Sequence, residues 1–531
     1  MANVSIISDI VGGWSESDIR LANMSESINM FCETQGSGAA NTSILRSISG
    51  NEVYVKVSDK KCRGLYEASR GHDGFPVLFG VFGNELWIIH DKENFTCLYT
   101  GLTNISTPVS MCETGGEGSA HPHLIVVDGA SVVAVDTTLS DQEMLEDIRT
   151  IALPYRVTQE DPEHPSQRIV PTHCAYCYNY LIVNDSGTDA FYITYQYPFE
   201  REGQYGAPID YDIFMIDPWR EVEMGYKDYG FVTYSEWSPD LTSALVSNGT
   251  LLYTFGPRSS QIFTYNSDVD APFVSPSNSA NMIGIKAPYS LAKVGDYVFY
   301  LGSSAIGENG IYYWQGNQLT RCSTPDVERY IQNMKYPQDA VGQVWQENGH
   351  LFYAITFITD DYTLVYDITE NIWHRRSSKD KLTNAHHYWR PQFGLLHDGK
   401  IMFGTDDGYV IAMNNNKFDE YDGRPMIRMR RSGALMNNYQ DFIVDGLRLI
   451  CNVGDFDDAN LVPQIMMRYT NNGGYWSQQE IGLLGRQGEY GTEVEWFNLG
   501  INNIMTIEIS CSDPVKFGLI GGRINYSLID S

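Results

Sequence analysis

Few side chains in this sequence are spaced for chemistry. His173-Cys174-Ala175-Tyr176-Cys177 holds a Cys-x-x-Cys pair, which grips zinc when a second pair supplies the remaining ligands. No second pair exists, and Tyr176 to Val183 reads as a buried strand, so both thiols are expected in the core. His121-Pro122-His123 has no carboxylate or thiol nearby to complete a site. His386-His387 stands before Tyr388-Trp389 and has the chemistry of a pH-sensitive interface. A structural place in a repeat is the simpler reading. Gly454-Asp455-Phe456-Asp457-Asp458 offers carboxylates to calcium but lacks the EF-hand loop order and its closing Glu. There is no Gly-x-x-x-x-Gly-Lys-Ser/Thr phosphate loop and no Gly-x-Ser-x-Gly elbow. We therefore expect no catalytic residue, no metal and no cofactor.

Charge narrows the remaining classes. The formal net charge is −30, so the chain repels nucleic-acid phosphates and anionic membranes at long range. No segment is apolar for the roughly 20 residues a membrane span needs. The start, Met1-Ala2-Asn3-Val4-Ser5-Ile6, lacks the pattern of a secretion signal. Nine irregularly spaced cysteines read as a reduced, cytoplasmic chain. Against this acidic background, Arg428-Met429-Arg430-Arg431 places Arg428 and Arg430 on one face if extended. Arg428, Arg430 and Arg431 are expected at a salt-bridged domain or subunit interface; a solvated strand edge is the bland alternative. An arginine set also clamps carboxylates in sialidase-like propellers, but the repeated Ser-x-Asp-x-Gly-x-x-Trp boxes of such proteins do not occur.

The elements that carry these residues are short strands. Between residues 51 and 422 one unit recurs: an apolar run, a tight turn, then an aromatic run. Gly83-Asn84, Asn248-Gly249, Gly295-Asp296, Asn348-Gly349 and Asp398-Gly399 are the turns, and such pairs supply the positive φ of two-residue hairpins. The later copies recur at about the length of a four-stranded propeller blade, which predicts six or seven blades. A stack of β-sandwiches is the competing architecture. The polar block 137–172 interrupts the period, and Asp141 to Ile151 within it predicts one short helix.

The ends differ. Residues 1–50 are polar with no sustained period, as expected of an extended arm lying on the main body or on a neighbour. From residue 423 the period breaks, and runs such as 441–450, 463–469 and 505–510 alternate like half-buried strands. The expected organisation is an arm over 1–50, a propeller with loop insertions over 51–422, and a separate β-sandwich or barrel over 423–531. The fold class is all-β.

Three stretches resemble a known family, the packaged-DNA stabilisation or tail-hub (nozzle) proteins of short-tailed bacteriophages. Asn29-Met30, followed by Leu45-Arg46-Ser47-Ile48-Ser49-Gly50, is similar to the opening of that family. Leu364-Val365-Tyr366-Asp367 with Trp373 resembles its middle, and Asp513-Pro514 onward resembles its closing strand pair. The match touches both ends and the middle in order. The segments 137–172 and 200–235 depart from the pattern as insertions that could carry attachment sites.

The resemblance implies a structural, non-enzymatic subunit of the virion tail, assembled in the host cytoplasm. Its implied partners are further copies of itself in a hexameric ring, the portal-adaptor ring proteins above, and tail fibre, spike or needle proteins below. Genomic DNA would pass through the lumen without specific binding. The alternative, of a different class, is a glycan-binding or glycan-cleaving propeller whose abundant Tyr and Trp stack on sugars.

Overall fold

The computed structural model describes residues 3–7, 10–16, 24–36, 43–103, 106–115, 122–154, 156, 167–194, 221–223, 227–229, 231–234, 240–267, 272–277, 279–304, 307–380, 383, 385–438, 440–458 and 460–529. Strands dominate, and no helix among the described residues is long and apolar enough to cross a membrane.

Seven antiparallel sheets of four or more strands make a closed propeller. Blade 1 spans 62–99, blade 2 spans 110–151, blade 3 spans 174–234 and blade 4 spans 244–274. Blade 5 spans 283–321 and blade 6 spans 341–379. Blade 7 takes three strands from 392–414 and its fourth from Gly50–Lys56, which pairs antiparallel with Tyr409–Asn414. This pairing closes the ring, because strands from opposite ends of the propeller's sequence share one sheet. The first strands of most successive blades pack side by side around the axis, and that of blade 7 meets that of blade 1.

The turns obey the local chemistry. Asn348 and Gly349 have φ of +51° and +86° and join Glu347 to His350 in a two-residue loop. Gly83, Gly249, Gly295, Asp398 and Gly399 also have positive φ. Inner blade strands such as His123–Val127, Val132–Asp136 and Tyr180–Asn184 are buried at every residue. Each lies between neighbouring blades, which is why the sequence shows apolar runs there instead of alternation. Of the helix expected over Asp141 to Ile151, Asp141–Asp147 forms, begun by a capping box in which Ser140 and Glu143 satisfy each other's end, while Arg149–Ile151 is the outer strand of blade 2; a second helix, Pro325–Gln332, was not expected.

Two expectations are corrected. Tyr176 to Val183 is not one strand: Tyr178 and Asn179 have φ of +48° and +65° and turn Cys174–Cys177 back onto Tyr180–Asn184. Residues 1–50 are not an irregular arm. Among them, Asn3–Ile7, Met30–Thr34 and Ser43–Ser47 join one sheet of the C-terminal sandwich, while Met24–Ile28 joins the other. Met30–Thr34 and Ser43–Ser47 pair with each other, but Asn3–Ile7, Met24–Ile28 and Ser43–Ser47 also pair with strands hundreds of residues away, which no local period announces. By the same token, the sandwich does not stand apart over 423–531. Ile10, Met30, Cys32 and Leu45 are buried in its core with Val444, Leu447, Met467, Trp496, Ile507 and Ile509.

Of the two insertions, residues 155, 157–166, 200–220, 224–226, 230 and 235 lie outside the described residues. The remainder of 200–235 supplies a hairpin, Glu221–Glu223 with Lys227–Tyr229, and the outer strand of blade 3, Phe231–Tyr234.

Candidate functional site

The sequence motifs converge on the joint between blade 6 and the sandwich. One sheet runs through it without a break. The blade strands 341–347, 350–357, 362–367 and 372–379 continue into Met24–Ile28, Arg428–Arg431, Ile504–Cys511, Gln464–Thr470 and Glu480–Leu483. The crossing point is a short parallel contact, Ile28 opposite Arg375. Asn29 locks it. With φ of +54°, it turns the chain from one sandwich sheet into the other, Met24–Ile28 into Met30–Thr34. Its side-chain amide donates to the Ser377 carbonyl at 2.9 Å and the Ile427 carbonyl at 2.8 Å, and its Oδ1 accepts from Ser377 N at 2.9 Å. One side chain thus ties the blade, the arm strand and the linker between blade 7 and the sandwich, residues 415–427, together.

Beyond Asn29, alternate side chains serve the two domains. Met30 and Cys32 enter the sandwich core, while Phe31 enters the core of blades 6 and 7. The Phe31 ring meets Phe352 edge-on at 5.5 Å and His350 at 4.9 Å. A strand sends successive residues to opposite faces, so this strand is a rivet between two cores.

Across the joint runs a ladder of alternating charge, one residue on each of five consecutive strands. Arg375 Nη1 lies 3.2 Å from Glu26, Glu26 lies 2.9 Å from Arg431, and Arg431 lies 2.7 Å from Glu508. Arg468 Nε completes it, 2.6 Å from the other Glu508 oxygen. The rings of Tyr362 and Trp476 cover the guanidinium groups of Arg375 and of Arg431 and Arg468. Burial works against the charge of Arg431, but Glu26 and Glu508 more than offset it and hold its pKa above the ordinary arginine value. Opposite charges directly across strands stabilise the pairing and oppose register slip.

The other two arginines bind backbone. Arg428, fully buried, donates to the carbonyls of Cys511 at 3.3 Å, Val515 at 2.5 Å and Asp513. Arg430 donates to Ile10 O at 3.0 Å and Gly13 O at 2.8 Å, holding the arm. Arg428, Arg430 and Arg431 therefore sit between arm, blade and sandwich within one chain.

The resembling motif positions fall around this joint. Leu45 is fully buried, and Ser47 N donates to Phe517 O at 3.0 Å. Arg46 pairs with Glu33 at the surface. A Cβ on Gly50 would lie 2.5 Å from the Asp419 carbonyl, so only glycine lets the arm pass the linker there. Asp367 accepts from His350 Nδ1 at 2.7 Å, and burial raises its pKa despite that partner. Trp373 donates to Cys322 O at 3.1 Å. Asp513 Oδ2 accepts from Gln464 N at 2.6 Å, and Pro514 is exposed in the turn that follows.

The other candidates resolve as structure. Cys174 and Cys177 are buried, and all nine cysteines are free thiols. Burial presses His386 down to about 4, with Arg375 and Lys379 adding to the effect, so its ring is neutral near pH 7 beside Ser377 Oγ at 2.8 Å. His387 hydrogen-bonds Asp361 at 2.5 Å. His123 is buried in blade 2, and His121 lies outside the described residues.

Sequence reasoning missed Glu26, Arg375 and Glu508, and also the buried pair Glu347–Arg376. The available signal was a charge set in a strand between apolar neighbours, as Glu508 lies between Ile507 and Ile509. It also missed Glu420, in the linker. Burial pushes this carboxyl from 4.5 up to about 7; Asp422 adds to the rise, while Ser378, Arg390 and Arg424 oppose it. The unfolded acid ionises near 4.5, but the folded one holds its proton to about 7, so folding loses stability as pH rises through that window. The expected loss is about 3 kcal/mol between pH 4.5 and 8. In denaturant melts, Glu420→Gln should flatten this slope and be the more stable protein at pH 8. Equal slopes for variant and parent would reject the assignment.

The propeller's own axis holds open space. Two cavities of about 230 and 440 Å³ lie along it, sharing Pro108, Tyr289, Val341 and Phe393 as walls.

Comparison with known proteins follows the domain division. A family model described as bacteriophage P22 Gp10, beta-propeller, matches residues 226–417, and one described as bacteriophage P22 Gp10, beta-sandwich, matches residues 427–527. No curated protein matches the chain by sequence. Solved structures similar to it include the computationally designed Ika8 protein, 10% identical with a TM-score of 0.37, over 68% of this chain and 99% of that one. The N-terminal domain of Nup159 is 10% identical with a TM-score of 0.36, over 73% of this chain and 98% of that one. The Cps50 (Swd1) propeller of Myceliophteria thermophila is 13% identical with a TM-score of 0.35, over 64% and 97% respectively. These scores are too low to add to the argument. The two Gp10 matches together take in more than half of the chain, in the order propeller then sandwich, and this protein belongs to the bacteriophage P22 Gp10 family of structural tail-hub proteins.

Proposed function

We propose that this chain assembles head to tail into a closed ring, a hexamer, below the portal and its adaptor ring. The ring extends and helps close the DNA exit channel and anchors the distal fibres, spikes or needle. Assembly takes place in the host cytoplasm, and the ring resides in the virion tail. The observation that carries this reading is the unbroken sheet through the joint. It makes propeller and sandwich one stiff piece, as a wall under load requires. Heterologous contacts between such pieces close into rings when the rotation permits.

Charge supports a conduit that does not grip its cargo. Six copies carry about −180 formal charges, a field felt by DNA within roughly one Debye length. The conduit would run between subunits. The insertions in blades 2 and 3 are the candidate attachment sites for distal proteins.

Native mass measurement of the purified 59.9 kDa chain, alone and with its adaptor proteins, should find a six-fold species. In electron micrographs of that species the bore should be lined by Asp and Glu. A chain that stays single under both conditions, or a bore lined by Arg and Lys, would overturn the proposal.

A further inference from the structure

The Cys-x-x-Cys motif does not act as a pair. Its two residues stand three apart in one short strand, so their side chains leave opposite faces of it. Cys174 packs in the core between blades 2 and 3, and Cys177 in the core between blades 3 and 4. The thiol that Cys174 meets belongs to blade 2. The innermost strands of the two blades, Ser110–Thr114 and Cys174–Cys177, pack side by side. Ser110 Oγ accepts from Cys174 N at 3.1 Å and lies 3.6 Å from Cys174 Sγ. Cys112 is the next residue on the same face of its strand. It packs in the core that holds Cys174, while Met111 turns the other way, into the core of blades 1 and 2.

Hydrogen bonding to Cys174, ahead of burial, lifts the Cys112 pKa well above its ordinary 9.0. The thiol is therefore protonated near neutral pH and reacts slowly as a nucleophile. Both sulfur-bearing residues line a cavity of about 230 Å³, and Cys112 is only half-buried. Small oxidants the size of a few water molecules fit such a space. Cys451 and Cys511 also feel each other across the sandwich, but Arg428 Nη2 donates to Cys511 Sγ at 3.7 Å and occupies it.

We propose that Cys112 and Cys174 are a redox pair that closes into a disulfide and staples blade 2 to blade 3. Hydrogen peroxide is a sufficient oxidant. One sulfur takes an oxygen atom from the peroxide and becomes a sulfenic acid, and the rest of the peroxide leaves as water. The other sulfur then displaces that oxygen as a second water, so one S–S bond replaces two S–H bonds and the peroxide takes up two electrons. A reducing cytoplasm keeps the pair open, and oxidising surroundings close it. The link encloses the rest of blade 2 in a covalent loop, which restricts the unfolded chain more than the folded one. This chemistry is independent of ring assembly.

Peroxide treatment of the full chain, followed by capping of the remaining thiols with iodoacetamide and peptide mapping by mass spectrometry, tests it. A peptide pair joined at Cys112 and Cys174, lighter by two hydrogens than its separate members, is expected. Oxidation should also raise the melting temperature of the parent by about 3 °C or more relative to its effect on Cys112→Ser, and dithiothreitol should reverse the rise. The mapping is read on the parent and does not depend on how well the variant folds. Both thiols still capped, sulfinic acids at both without a link, either one joined to a different cysteine, or a linked parent that melts no higher would overturn the proposal.

Discussion

Residues 423–531 expressed alone should fail to fold, and adding a peptide of residues 3–50 should restore a native sandwich. Without the N-terminal strands, Arg428–Arg431 loses its partner Met24–Ile28 and becomes an open edge. Gly518–Leu528 loses both Asn3–Ile7 and Ser43–Ser47. Ile10, Met30, Cys32 and Leu45 vanish from the core. At about 1.5–3 kcal/mol for each large buried side chain, the loss approaches the whole stability of a domain, about 5–15 kcal/mol. Circular dichroism and amide dispersion in NMR spectra would report the outcome. A cooperative, well-dispersed isolated 423–531 fragment would show that the N-terminal strands are ornament.

Glu347→Gln should destabilise the propeller by about 3–5 kcal/mol, since it leaves the buried Arg376 without its counter-charge. Both side chains are almost wholly buried, with Arg376 Nη2 2.8 Å from Glu347 Oε2. The guanidinium lies 4.7, 5.0 and 4.9 Å from the ring centres of Trp345, Phe352 and Trp389. The other Glu347 oxygen accepts from Ser49 N at 2.9 Å, so this pair also anchors the arm as it enters blade 7. Burial alone would raise the Glu347 pKa, but Arg376 and Ser49 hold it below the ordinary 4.5. Its contribution is therefore present above about pH 4.5 and lost as pH falls through the folded value. The double variant Glu347→Leu with Arg376→Met should recover most of the loss, because apolar residues of similar volume replace buried ion pairs well. Tryptophan fluorescence during denaturant unfolding reads both effects. A single variant within about 0.5 kcal/mol of the parent would contradict the pair's role.

Much of the propeller was legible because its information is local. Asn348-Gly349 and Asp398-Gly399 demand positive φ wherever they occur, and the runs beside them have nowhere to go but a blade. The Asp141–Asp147 helix was legible for the same reason, since Ser140 and Glu143 cap it three residues apart. The strand expected over Tyr176 to Val183 failed because Tyr178 and Asn179 take positive φ without a glycine to announce it.

What the sequence determined by itself is the set of short strands, their turns, the acidic balance and the absence of spaced catalytic motifs. The tertiary structure alone decided how the ends are used. Gly50–Lys56 closes the ring, Met30 and Phe31 enter two different cores, and Arg375, Glu26, Arg431, Glu508 and Arg468 line up across five strands. Those pairings join residues up to several hundred positions apart. No window of sequence contains both partners, and a lone charge in a strand looks the same whether it faces water or its opposite.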